Sequence, residues 1–187
     1  MGNKGLIRPY KSVHTVDGID CLGGAIGDRY PLVQWYLLDP LFPPYCDEAN
    51  RATDIVEYRC IYLKSDDWMS AVINLGEDSY APAYHDVQIE VGYGGKNVVA
   101  DTIADRYTAP SGITFHDLNY WNSNPVEITL DPGDSIVLWA KRTIASGTRS
   151  WCNYGGVFAY HIRQRDYAFW GLSFWLARDG YIITEGS

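Results

Sequence analysis

Basic residues are in short supply in this sequence. Lysine and arginine together number 15 against 23 aspartates and glutamates, which gives a formal net charge of −8 at pH 7. A nucleic-acid groove needs clustered cations that neutralise phosphates, so this balance argues against nucleic acid as a direct partner. The excess of acid also helps to keep a chain with many aromatic residues in solution.

Long apolar runs are absent as well. No window approaches the roughly 18 apolar residues that a membrane-spanning helix needs. The opening residues, MGNKGL, lack the apolar stretch of a secretory signal. We therefore expect a soluble protein that is made in the cytoplasm and has no membrane partner.

Cysteine is scarce, and its spacing is uninformative for metal binding. The residues Cys21, Cys46, Cys60 and Cys152 form no CxxC pair and have no histidine at ligand spacing, so we predict no zinc site. The sequence favours free thiols in a reducing compartment, and a disulfide from Cys46 to Cys21 or Cys152 stays open. Cys60 lies inside a strand pattern and is interpreted as a small buried apolar residue.

Helical periodicity is missing too, since no 3.6-residue pattern runs for ten residues before residue 160. Short alternating segments separated by glycine and proline take its place, which predicts an all-β sandwich or jelly roll with under about a tenth of the chain in helix. The turn at 131–134 (DPGD) is predicted to join two strands, and the glycines of 92–96 to form a hairpin turn. The predicted strands are 55–63, 70–75, 86–92, 97–100, 126–130, 135–141 and 156–162.

The chain is predicted to be one domain with three zones. Residues 1–50 contain several prolines and are interpreted as an irregular N-terminal arm with one strand at 32–38. Residues 51–163 form the β-sandwich. Residues 164–187 are an aromatic C-terminal extension, in which 169–176 is either an arm that docks on another surface or the last strand of the core.

The segment 56–63 (VEYRCIYL) reads as a complete strand. Alternate residues fall on opposite faces, so Glu57 and Arg59 share one face and can pair with each other or with adjoining strands. A slip of one residue is expected to push both charges into the core, so the pattern predicts a defined register. We also expect a carboxylate or a backbone carbonyl to hold Arg59.

Aromatic residues are abundant, with 15 tyrosines and 7 tryptophans. Exposed aromatic faces stack on sugars and fill protein interfaces, although packing within the core is the competing interpretation. The interface candidates are Trp68, Trp121, Trp151, Phe169, Trp170, Phe174 and Trp175.

No motif predicts a catalytic residue, a metal ligand or a cofactor. The acidic pairs at 66–67 and 77–78 are the only basis for a hydrolase with two carboxylates or for a structural calcium ion, and loops commonly carry such solvated acids. The four histidines are scattered along the chain. We therefore expect no enzymatic activity.

Four segments occur in the order of a recognisable pattern. They are 22–26 (LGGAI), 57–62 (EYRCIY) after the acidic pair at 47–48, 109–115 (APSGITF), and 138–143 (LWAKRT) after a Pro-Gly turn at 132–133. Together they resemble a family of small, mostly uncharacterised bacteriophage virion-associated proteins. The segment 30–46 and the tail after residue 162 depart from that pattern.

The resemblance implies a structural component of a bacteriophage particle without enzymatic activity. It would be a capsid decoration protein or a head–tail or tail accessory protein, made in the host cytoplasm and located in the virion. Its expected partners are other virion proteins of the capsid, neck or tail and further copies of itself. The alternative is a carbohydrate- or receptor-binding module of a phage tail.

Overall fold

A computed structural model of the chain describes residues 7–30, 32–33, 36–37, 41–42, 53–66, 68–80, 87–146, 155–163 and 168–175. These residues contain twelve β-strands and one short α-helix. In chain order the elements are β1 Ile7–Ser12, β2 Ile26–Arg29, β3 Leu32–Val33, β4 Tyr36–Leu37, β5 Ile55–Ser65, β6 Ala71–Leu75, β7 Val87–Lys96, β8 Phe115–Asp117, α1 Leu118–Ser123, β9 Val126–Leu130, β10 Ser135–Ile144, β11 Gly155–Arg163 and β12 Ala168–Trp175.

Two antiparallel sheets pack against each other. The larger sheet has six strands in the order β2-β1-β5-β10-β7-β8, and the smaller has four in the order β12-β11-β6-β9. A separate two-stranded sheet joins β3 and β4. Leu63 of the larger sheet shares one buried cluster with Leu75 and Phe158 of the smaller sheet, so the core lies between the two layers. The predicted all-β sandwich is confirmed.

Most of the predicted strands are present. The strands β5, β6, β9 and β11 agree with the predicted segments to within two residues. The strands β7 and β10 run further than predicted, to Lys96 and Ile144. The predicted strand at 97–100 is wrong, because these residues form a loop with one isolated bridge between Gly24 and Ala100.

The predicted hairpin turn at 92–96 is also wrong, because these residues continue β7. Gly92 packs so tightly that a Cβ atom on it would lie 2.3 Å from Cγ2 of Ile113. The register of β7 against β10 shifts between Val137 and Leu138, as at a β-bulge. Gly92 therefore allows close packing within a strand. Turns also favour glycine, so the residue type alone did not distinguish the two structures.

The N-terminal region is more regular than predicted. The strand β1 pairs with β2 on one side and with β5 on the other, so it is an integral part of the larger sheet. Pro9 lies inside β1. Because proline normally argues against a strand in the interior of a sheet, the sequence pattern did not predict this strand. The single strand predicted at 32–38 is instead the antiparallel pair β3 and β4, in which Val33 lies opposite Tyr36.

The C-terminal region contributes an edge strand. The backbone of β12 pairs with β11 from Gly155 opposite Trp175 to Ile162 opposite Ala168. The segment 168–175 therefore belongs to the sandwich, which is the second of the two alternatives for this region. Residues 176–187 lie outside the described part of the chain.

The helix α1 was not among the predicted elements. It has six residues, and the side chain of Asp117 caps it by accepting a hydrogen bond from the backbone N–H of Tyr120 at 2.6 Å. Its buried residues are Leu118 and Trp121. A helix this short shows too few turns for a periodic pattern, so only the capping residue signals it.

The predicted turn between β9 and β10 is confirmed. The backbone N–H of Asp134 donates to the carbonyl of Asp131 at 2.9 Å, and Gly133 has a φ of +86°. The Asp134 carboxylate accepts hydrogen bonds from Asn97 Nδ2 at 2.7 Å and from the backbone N–H of Asp131 at 2.9 Å. It also forms an ion pair with Lys96 at 2.7 Å. One carboxylate thus ties the turn to the end of β7.

This arrangement predicts a pH-dependent contribution to stability. The hydrogen bonds from Lys96 and Asn97 lower the pKa of Asp134 from 3.8 to about 2. Because the pKa is lower in the folded protein, the ionised carboxylate stabilises the fold well above pH 3.8, and this contribution disappears as the pH falls towards 2. We expect Asp134→Asn to lower the free energy of unfolding at neutral pH by up to about 1 kcal/mol, because the groups are partly solvated. Urea unfolding of both proteins across this pH range measures the difference, and a difference that stays constant down to pH 2 contradicts the prediction.

Candidate interaction site on the outer sheet face

The face of the larger sheet that points away from the smaller sheet carries a second hydrophobic cluster. Side chains from β5 and β10 form its base, and residues from two loops cover it. We call this group the outer cluster, and partly buried Ile113 and Phe115 pack against it. Its buried members are Leu22, Tyr58, Cys60, Tyr62, Ala100, Ile103, Val137 and Trp139.

Backbone hydrogen bonds hold the two covering loops together. The N–H of Gly24 donates to the carbonyl of Ala100 at 3.0 Å, and the N–H of Ile103 donates to the carbonyl of Leu22 at 3.1 Å. The buried hydroxyl of Tyr62 donates to the carbonyl of Gly24 and accepts from the N–H of Ala100 at 2.9 Å. A single phenol on β5 therefore fastens both loops to the sheet, and its hydrogen-bonding groups are satisfied.

Gly23 allows the two loops to approach each other. Its φ is +91°, and a Cβ atom on it would lie 2.0 Å from the carbonyl oxygen of Asp101. Real Cβ atoms do not come this close to an oxygen, so a larger residue would separate the loops.

We therefore expect Gly23→Ala to destabilise the protein more than Gly18→Ala. Both glycines have a left-handed φ, which costs alanine about 1–2 kcal/mol, but a Cβ atom on Gly18 would meet nothing within 4 Å. The difference between the two variants in the free energy of unfolding isolates the steric contact with Asp101. Equal losses in chemical denaturation would show that the loops can separate without cost.

An open pocket of about 230 Å³ lies beside the outer cluster. Its lining includes Trp139 and Val137, both almost fully buried. Exposed Val98 and Val99 contribute apolar walls, and Asp101 is also exposed at the pocket. We call it the outer pocket, and its other lining residues are Gly94, Ala100, Pro110, Ser111, Gly112 and Ile113.

The opposite face of β5 carries a buried ionic cluster. Glu57 lies directly across from Arg142 of β10. Its carboxylate accepts one hydrogen bond from Nε of Arg142 at 2.9 Å and a second from Nη2 of the same guanidinium. Nε of Arg106 lies 3.4 Å from the other carboxylate oxygen. The prediction that Glu57 pairs across to an adjoining strand is confirmed. The expectation that only a slipped register would bury the two charges is wrong, since Glu57 and Arg59 are 3% and 1% exposed.

Arg59 lies on the same face as Glu57 but depends on weaker contacts. Its Nη1 donates to the carbonyl of Tyr58 at 2.7 Å, which confirms the predicted backbone partner, while its Nη2 has no hydrogen bond among the described residues. The ring of Phe42 lies 5.6 Å from its guanidinium and 4.8 Å from that of Arg142. Burial lowers the pKa of both guanidiniums, and the charge of Glu57 opposes that effect.

The two described cysteines lie in surroundings that disfavour the nucleophilic thiolate form. Cys21 and Cys60 are buried and free, and burial raises the pKa of the Cys21 thiol to about 12 and that of Cys60 as well. A thiol with so high a pKa stays protonated at neutral pH. The interpretation of Cys60 as a buried apolar residue is confirmed, and Cys46 and Cys152 lie outside the described residues.

The predicted interface aromatics lie in different environments. Trp68 is 77% exposed in the connection between β5 and β6. Trp121 is instead a core residue at 4% exposed, with its Nε1 donating to the carbonyl of Val91 at 2.8 Å and its ring edge-on to Phe158. Trp151 lies outside the described residues. The remaining candidates belong to β12 and are Phe169, Trp170, Phe174 and Trp175.

The first member of each acidic pair from the sequence has a structural partner, and residue 67 lies outside the described residues. Asp66 accepts hydrogen bonds from the hydroxyl of Tyr10 at 2.7 Å and from Arg29 at 2.8 Å. Glu77 accepts one from Asn74 at 2.8 Å. Within the described ranges, no group of three or more histidine, cysteine or acidic residues could hold a metal ion, and no helix there is long and apolar enough to cross a membrane.

Neither a protein-family model nor a curated protein sequence matches this chain. A role for the chain therefore depends on its own motifs and geometry.

Proposed function

We propose that this chain is a non-enzymatic structural component of a bacteriophage particle. It acts as a decoration or accessory protein of the capsid, neck or tail, assembles with further copies of itself, and binds other virion proteins. The observation that carries this proposal is the convergence of the four segments of the phage-like pattern on the outer cluster.

Each segment places a residue in or against this cluster. Leu22 comes from the first segment, Cys60 from the second, Phe115 from the third and Trp139 from the fourth. The segments are far apart in sequence but share one packed group, so they act as one structural unit. This arrangement supports the resemblance to virion-associated proteins, because the pattern corresponds to a single feature of the fold.

The surface properties are consistent with a role in assembly. A rigid antiparallel sandwich offers a fixed scaffold, and the exposed ring of Trp68 is the kind of aromatic anchor that protein interfaces use. The net charge of −8 suits a protein that contacts other proteins and stays away from packaged DNA.

The proposal is tested by locating the chain in intact particles. Purified virions are analysed by mass spectrometry, and a tagged copy of the chain is located by electron microscopy. We expect stoichiometric recovery of the chain and density at a repeated, symmetric position. If cells that express the chain are infected and the purified particles do not contain it, the proposal is contradicted.

A carbohydrate- or receptor-binding module of a phage tail is the second candidate, and the exposure of Trp68 is the observation that favours it. Sugar rings stack on exposed aromatic faces. Binding of the wild-type chain to a glycan array, with loss of binding in Trp68→Ala, would favour this candidate. Recovery from particles without glycan binding favours the structural role.

A further inference from the structure

We propose that the outer pocket binds the side chain of a lysine that a partner protein presents. This inference deepens the proposed function, because it names the chemistry that a neighbouring virion protein would bring to this surface. Three observations carry it: the size of the pocket, the apolar side chains in its lining, and a carboxylate in the lining that has no partner among the described residues.

The size of the pocket suits one side chain. Pockets for drug-sized ligands and cofactors have volumes of about 300–1,000 Å³, and this pocket has about 230 Å³. Its position on the outer face leaves it open to a protein that docks there, since Val98 and Val99 on its wall are exposed. A protruding side chain fits these dimensions better than a cofactor does.

The walls suit an aliphatic stem. The apolar side chains in its lining include those of Val98, Val99, Ile113 and Trp139. Lysine buries its four-carbon stem along apolar surface and keeps its ammonium group in a polar environment. The pocket thus offers the stem a place from which water is displaced.

The carboxylate of Asp101 selects for a cationic head group. Asp101 is exposed, lines the pocket and makes no side-chain hydrogen bond or ion pair with any residue that the structure describes. Lys96, at the end of the preceding strand, is paired with Asp134 instead. The overall charge of −8 further favours a partner with a positive surface.

The test uses small probes with the complete chain. Nα-acetyl-lysine amide is titrated into the ¹⁵N-labelled protein, and Nα-acetyl-norleucine amide, which has an equivalent stem without the ammonium group, is titrated in parallel. We expect the lysine probe to cause saturable shifts of the backbone amides in 94–101 and 111–113, and the norleucine probe to bind about three- to fivefold more weakly, as for an exposed ion pair.

Two variants assign the charge effect to one residue. Asp101→Asn is expected to weaken the lysine probe by the same factor and to leave the norleucine probe unchanged. Asp28→Asn is the matched control, because Asp28 is an exposed carboxylate on β2, the edge strand at the far end of the larger sheet from β7 and β8. It should leave both affinities at their wild-type values.

The proposal is overturned if the lysine probe causes no saturable shifts around the pocket, if both probes bind equally, or if Asp101→Asn has no effect. These outcomes are separate from those of the particle experiment. A chain that binds the lysine probe but is absent from virions would refute the role in the particle and leave the pocket assignment in place. The reverse result would refute the pocket assignment alone.

Discussion

Glu57→Gln is expected to lower the free energy of unfolding by about 3–5 kcal/mol, because it leaves buried guanidinium groups without their counter-charge. Glu57 is the carboxylate that accepts two hydrogen bonds from Arg142 and lies beside Arg106. The cost of burying a cation is high unless a negative charge compensates it. Urea unfolding followed by tryptophan fluorescence and by circular dichroism measures the loss.

The chain contains a matched control for this substitution. Glu90 of β7 faces Lys141 of β10 across the same sheet and forms an ion pair with it, but both side chains are partly exposed. Glu90→Gln is therefore expected to cost less than about 1 kcal/mol. Equal losses for Glu57→Gln and Glu90→Gln would contradict the assignment of Glu57 to a buried, compensating role.

Arg59→Met gives a contrast in the size of the expected loss. This substitution removes a buried cation whose Nη2 has no hydrogen bond among the described residues and which lies near the positive charge of Arg142. Methionine has a similar length and no charge, so we expect a far smaller loss than for Glu57→Gln. A loss as large as that of Glu57→Gln would show that Arg59 is an essential partner within the cluster.

Trp139→Ala is expected to destabilise the protein by about 3–5 kcal/mol, the range for removal of a large aromatic side chain from a core. Trp139 is 1% exposed and belongs to the outer cluster on β10, the strand between β5 and β7. Alanine would leave a cavity whose walls are held by the strands and loops around it. The measurement is again the free energy of unfolding from denaturant titration.

Trp68→Ala is the control for Trp139→Ala, because the same side chain is removed from a position that is 77% exposed. Its expected effect on stability is within about 0.5 kcal/mol. If both variants lost the same free energy of unfolding, the outer cluster would not act as a core, and the covering loops would contribute little to stability. A stable Trp68→Ala chain that fails to join particles would identify Trp68 as an assembly anchor.

The class of fold follows from local features of the chain. Strand alternation and the proline turn at 131–134 depend on neighbouring residues. The structure shows both, the alternation over 87–91. Elements with a weak local signal were missed. The strand β1 contains Pro9, and α1 has six residues, so neither shows a clear period.

The outer pocket could not be predicted in the same way. Its lining combines residues near 94–101 with 110–113 and with Val137 and Trp139 of β10. These segments meet only after β7 pairs with β10 and the loop at 97–103 folds over the sheet. No local pattern marks Asp101 as different from the other exposed acids of the chain.

By itself the sequence determined that this protein is an antiparallel β-sandwich with a buried Cys60, because strand alternation and turn chemistry are local properties. Only the tertiary structure decided where the charges of β5 lie. Alternation places Glu57 and Arg59 on one face, but whether water or protein covers that face depends on residues far away in the chain. Arg142, 85 residues from Glu57, and Phe42 cover it here, and so a pattern that is typical of a wet face belongs to a buried ionic cluster.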